Sequence, residues 1–175
     1  IPVPGLRGHA ALQALAQGGA RVRFAHADLS AYSVFEEAFF HGTRAAAFGG
    51  TTAVVDFVET RLEETMREAL TARQAVAASA VIDYGLHMTI GPTDIAKLDQ
   101  LAEIRAAGCG SVKLYMAYGL RLTDGDLLRA LEAVRDAGAL PVVHAENWDV
   151  ITTLIRRNLG AGRVTPHWHP RSRPE

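Results

Sequence analysis

At 175 residues and 49% hydrophobic content, the chain suits one domain with a sizeable core. A formal net charge of −1 offers no field for nucleic acid or a membrane surface. The single cysteine, Cys109, excludes an internal disulfide and fits a reducing compartment. No apolar run approaches the roughly eighteen residues that a bilayer crossing needs, so the expected protein is soluble and cytoplasmic.

In chain order, residues 6–17 suit a short helix through Leu6, Leu12 and Leu15, and residues 20–25 a weak first strand ending at His26-Ala27-Asp28. Ser33 with Glu36 is a capping box opening a helix to about Phe48. The β-branched run from Thr51 to Val58 predicts a buried second strand, followed by a helix from about Arg61 to Ala78 with Leu62 on its apolar side. Residues 80–88 form strand three, and Thr93 is expected to cap a helix that Gly108 stops. Strand four is Gly110 to Tyr118. Thr123 with Asp126 then opens a helix to Gly138, Leu140 to His144 is strand five, and Asn147 caps a last helix to about Leu159. The tail at 160–175 reads as loop.

Apolar strands alternating with helices predict an α/β fold with a parallel sheet. Two architectures fit: an open doubly wound sheet, or the first five βα units of an incomplete (β/α)8 barrel. Neither a Gly-x-Gly-x-x-Gly turn nor a Gly-x-x-x-x-Gly-Lys-Ser/Thr loop is present, so nucleotide cradling has no sequence support.

Both folds place chemistry at the carboxyl ends of strands, where the sequence sets His26 or Asp28, Asp56, His87, Lys113 with Tyr118, and His144. Lys113 is the most pointed of these. The chain has 16 arginines and only two lysines, Lys97 and Lys113, and Lys113 lies mid-strand among apolar residues. An ammonium there must be neutralised, paired or modified. Taken alone, Lys113 reads as a snorkelling amine or a carboxylate's partner before it reads as catalytic. His144 suits either a divalent metal or a hydrogen bond at a strand-to-helix turn, and Tyr118 suits a packed aromatic. His87 reads as a hydrogen-bonded core residue. Asp94, Asp124 and Asp126 read as helix-start carboxylates.

Together these segments resemble the hydantoinase/dihydropyrimidinase family of cyclic amidohydrolases. The matching pieces are Gly42-Thr43-Arg44-Ala45-Ala46-Ala47-Phe48-Gly49-Gly50-Thr51-Thr52, Val55-Asp56-Phe57 and Asp83-Tyr84-Gly85-Leu86-His87. They continue with Val112-Lys113-Leu114-Tyr115-Met116-Ala117-Tyr118, Val143-His144-Ala145-Glu146-Asn147 and Ser172-Arg173-Pro174-Glu175. They come in the family's order from about Phe39, whereas residues 1–38 match poorly. The resemblance implies a single, partial, metal-dependent barrel domain over residues 1–175. It implies two zinc ions, with Lys113 carbamylated by carbon dioxide as the bridging ligand, His144 as a further ligand, and Tyr118 binding the developing oxyanion. It also implies a small cyclic amide as substrate, hydantoin or dihydropyrimidine, opened to an N-carbamoyl amino acid, and a homo-oligomer, dimer or tetramer.

The family's strand-one His-x-His is not in the sequence; the nearest text is Phe24-Ala25-His26-Ala27-Asp28. The ligand of strand six and the base of strand eight would follow Glu175. The expectation is therefore a fragment incompetent on its own, with Lys113 less readily carbamylated here than in a complete enzyme. Two other readings compete: a non-catalytic relative similar to the collapsin-response mediator proteins, acting through protein contacts, and an open-sheet binding module.

Overall fold

The structure, a computed structural model, describes residues 38–174 and the backbone of Phe24–His26. The expected helix at 6–17, the Ser33–Glu36 box and Asp28 lie outside the described residues. Five strands, β1 (Phe24–His26), β2 (Ala53–Val58), β3 (Asp83–Thr89), β4 (Ser111–Tyr115) and β5 (Leu140–His144), form one sheet in the order β1-β2-β3-β4-β5. Every neighbouring pair is parallel. A doubly wound sheet reverses its strand order at a switch point, whereas a barrel adds strands sequentially. The sequential order decides for the barrel half.

Helices α1 (Ala38–Phe48), α2 (Met66–Ala77), α3 (Leu101–Ala106), α4 (Asp124–Asp136) and α5 (Trp148–Gly160) follow the strands, with a 3-10 helix at Pro92–Gln100 and a short α6 at Trp168–Arg171. The helices cover one face of the sheet. Tyr84, Leu86 and Met88 of β3 and Val112 and Leu114 of β4 pack there with Leu70, Leu101, Ile104 and Val134. Strand side chains alternate between faces, so Gly85, His87 and Thr89 of β3 and Ser111, Lys113 and Tyr115 of β4 occupy the opposite face. That second face would be the barrel's interior.

Two helix-to-strand turns show how the sequence sets the spacing. Gly108 and Gly138 have φ of 95° and 66°, which a side chain would resist. The following amides, Cys109 N and Ala139 N, reach back to Ile104 O (3.2 Å) and Val134 O (3.0 Å), closing each helix and releasing the chain into β4 or β5. Cys109 is 4% exposed and donates to Leu86 O, and burial pushes its thiol up to about 11. It is an inert packing residue, as its apolar surroundings suggested.

Several boundaries differ from expectation. The second helix starts at Met66, not Arg61: Thr65 and Glu68 form its capping box, and Leu62 is exposed. Thr93 does not cap an α-helix; it sits inside a 3-10 turn that Pro92 opens, where Asp94 accepts from Gly91 N. β4 ends at Tyr115, and Tyr118 lies in the loop beyond it. The tail is not wholly loop, since α6 forms within it. Asn147 and Thr123 cap as expected, accepting from Val150 N and Asp126 N. Among the described residues no helix is long and apolar enough to cross a membrane.

Candidate functional site

The two lysines part company. Lys97 donates to the carbonyls of Arg61 (3.1 Å) and Glu64 (2.9 Å) and lies 3.5 Å from Asp94. Lys113 has no hydrogen bond or carboxylate partner among the described residues, and its Nζ stands 4.7 Å above the centroid of the Tyr115 ring. Burial lowers its pKa, which raises the share of neutral amine. Beside it in register is Thr89, whose hydroxyl oxygen is buried and without a partner among the described residues. The hydroxyl and the amine thus stand side by side with hydrogen-bonding capacity unused among the described residues.

His144 is one diagonal step from Lys113. The register pairs Lys113 with Val142 and Tyr115 with His144, so both side chains share the open face, and the Tyr115 and His144 rings stack at 5.9 Å. Nε2 of His144 contacts Glu146 Oε2. The same oxygen accepts the Tyr118 hydroxyl at 3.0 Å, and Arg173 Nε donates to that hydroxyl oxygen at 3.1 Å. Tyr118 stands edge-on to His144 (5.2 Å) and to Trp148 (5.3 Å). Its φ is 68°, a left-handed backbone that a tyrosine rarely adopts and that turns its ring back over the end of β5. The His144 contact is the chief reason the Glu146 carboxyl is held below its usual range, with burial opposing it and the Tyr118 bond adding to it.

Two other rim candidates do not join this group. Asp56 is fully buried, but on the helix face, where Arg73 of α2 donates to it through Nε at 2.9 Å and through Nη2. It is a structural ion pair and not a rim acid. His87 is on the open face, yet its Nδ1 meets Ser111 Oγ at 2.6 Å and its ring lies against Phe57, as a hydrogen-bonded core residue should. His26 ends β1, and only its backbone is described.

No protein-family model matches the chain. Individual relatives do. Over 146 residues it is 40% identical to the D-hydantoinase of Geobacillus stearothermophilus, covering 81% of this chain and 31% of that protein. The D-phenylhydantoinase of Escherichia coli K12 is 39% identical over 138 residues, covering 78% and 30%. Crystal structures of a D-hydantoinase and of the dihydropyrimidinase from Brevibacillus agri NCHU1002 superpose with TM-scores of 0.68 and 0.69 at 40% and 39% identity. Each covers 78% of this chain and 30% of the solved one. The matched span is homologous to members of the hydantoinase/dihydropyrimidinase family. The chain spans about a third of the length of these relatives, and the five sequential βα units are its share of a hydantoinase-type barrel.

Lys113 and His144 have donor chemistry that suits a cation in part: a partly desolvated amine, and an imidazole whose Nδ1 is left over once Nε2 is engaged. Among the described residues no group of three His, Cys, Asp or Glu side chains stands together as a metal site. The two donors fit part of a centre. Glu146 and Arg173 are the members of the cluster that single-residue reasoning passed over, although both lie in segments that carried the resemblance.

Proposed function

We propose that this chain supplies the strand-four and strand-five part of a cyclic-amide hydrolase site, acting on hydantoin or dihydropyrimidine rings. The observation that carries the reading is Lys113: a lysine on the open face, partly desolvated, without a carboxylate partner among the described residues, one diagonal step from His144. Carbamylation would resolve its position, because attack of the neutral amine on carbon dioxide releases a proton and leaves an anion for a cation to bind. Lys113 as carbamate and His144 would help to hold two divalent metals, zinc by resemblance to the family. When bound, such metals supply an activated water and polarise the ring carbonyl.

The chain's own residues would do the rest. Tyr118, on its left-handed turn, would donate its hydroxyl to the carbonyl oxygen as charge gathers there. For that it must turn its proton from Glu146 to the substrate. Arg173 donates to the same hydroxyl oxygen, so the oxygen stays anchored while the proton changes partner.

With two candidate ligands among the described residues, the isolated chain should not hold a working centre. Purified and supplied with zinc and bicarbonate, it should bind fewer than one zinc per chain, by elemental analysis, and open neither hydantoin nor dihydrouracil. Two zinc ions per chain with turnover would contradict this. A competing reading as a non-catalytic relative draws no support from a site that keeps Lys113, Tyr118 and His144 on one face.

A further inference from the structure

Glu146 stands at the meeting point of the two groups just given roles, and nothing in those roles uses it. One oxygen, Oε2, contacts Nε2 of His144 and accepts the hydroxyl of Tyr118. The other, Oε1, lies 3.9 Å from Nε of Arg173, which also donates to the Tyr118 oxygen. Arg173 is itself fixed: its Nη1 donates to His169 O (3.1 Å) and Ser172 Oγ (2.9 Å), so α6 holds it in place. The four side chains come from the β4–α4 loop, β5, the β5–α5 loop and the segment after α6. Three separate stretches of the chain converge here, since His144 and Glu146 are two residues apart while Tyr118 and Arg173 are distant from both.

We propose that Glu146, braced by Arg173, is the positioning residue that sets both His144 and Tyr118. A carboxylate has no proton to give, so Nε2 of His144 must carry a hydrogen, and in the neutral imidazole the lone pair is then left on Nδ1. The neutral His144 is thus fixed in one tautomer, with Nδ1 as its remaining acceptor. The same carboxylate holds the Tyr118 hydroxyl in place until a substrate oxygen takes over its proton, and one residue thereby couples the orientation of a ligand to the resting position of an oxyanion donor. This deepens the hydrolase reading and rests on it, since the value of a fixed Nδ1 lies in what it binds.

The test needs neither metal nor turnover. In the whole chain labelled with ring-15N histidine, proton–nitrogen correlation at low temperature should show a strongly downfield Nε2–H of His144. E146A should lose that signal, and E146Q should keep it at a less downfield position, because an amide oxygen still accepts. R173A should keep the His144 signal and change Trp148 fluorescence, as the Tyr118 ring beside it loosens. An absent or Nδ1-borne proton in the unaltered chain, or one unchanged in E146A, overturns the proposal. Zinc loading of a complete hydantoinase-type barrel carrying this span separates the two ideas. If the Nε2–H behaves as stated while Lys113→Ala leaves the zinc content of that barrel unchanged, the metal reading fails and the Glu146 contact stands.

Discussion

Replacing Lys113 by alanine should abolish ring opening wherever this span works in a complete barrel. The practical host is the Geobacillus stearothermophilus D-hydantoinase, 40% identical over 146 residues, with its matched segment exchanged for the corresponding residues of this chain. The expected result is zinc-dependent hydantoin hydrolysis in the graft and none detectable after Lys113→Ala, with zinc content falling in parallel. The loss should be total because Lys113 would supply the anionic ligand that holds the metals, and it has no carboxylate partner among the described residues. Tyr118→Phe should cost less, roughly a hundred- to a thousandfold in kcat with little change in KM, the scale of one oxyanion donor. A Lys113→Ala graft that keeps both zinc and turnover would remove Lys113 from the chemistry.

The largest effect on stability should come from Asp56→Ala. This carboxylate is fully buried between sheet and helices and holds Arg73, whose guanidinium also lies 4.9 Å over the Phe39 ring. Removing it leaves a mostly buried cation without its counter-charge, a change that typically costs about 3–5 kcal/mol. A single exposed pair offers a scale: Arg129 with Asp126 on α4 should be worth about 0.5 kcal/mol or less. Urea unfolding of the two variants, followed by circular dichroism, should place them that far apart. A loss below about 1 kcal/mol for Asp56→Ala would mean that water or another donor relieves Arg73.

These two residues also show what the sequence could and could not carry. Both were legible as polar residues in apolar strands. Lys113 was placed on the right strand because β-branched and glycine-bounded runs mark β2 to β5 clearly. Asp56 was grouped with the rim, and the structure puts it on the other face. β2 is buried almost throughout, so its sequence shows no alternation from which to read a side. The start of α2 was misjudged for a different reason. Arg61 and Leu62 fit a helical period, and the capping box that overrides it, Thr65 with Glu68, is a local hydrogen-bond pattern rather than an apolar one.

The site was half legible. Lys113, Tyr118 and His144 could be named from strand ends and from resemblance, and they do share one face or its rim. Glu146 and Arg173 could not be given roles, because their partners lie 28 and 55 residues away from them along the chain at Tyr118. No period in the sequence links such positions. Only the folding of α6 back toward the β4–α4 loop brings them together.

The central claim is that Lys113 carries a carbamate held by metal in the assembled site. The most direct measurement is 13C NMR of the zinc-loaded graft after incubation with 13C-bicarbonate. The account predicts a carbamate carbon signal in the intact graft that disappears in Lys113→Ala. A graft that is loaded with zinc and hydrolyses hydantoin, yet shows no such signal, would contradict it.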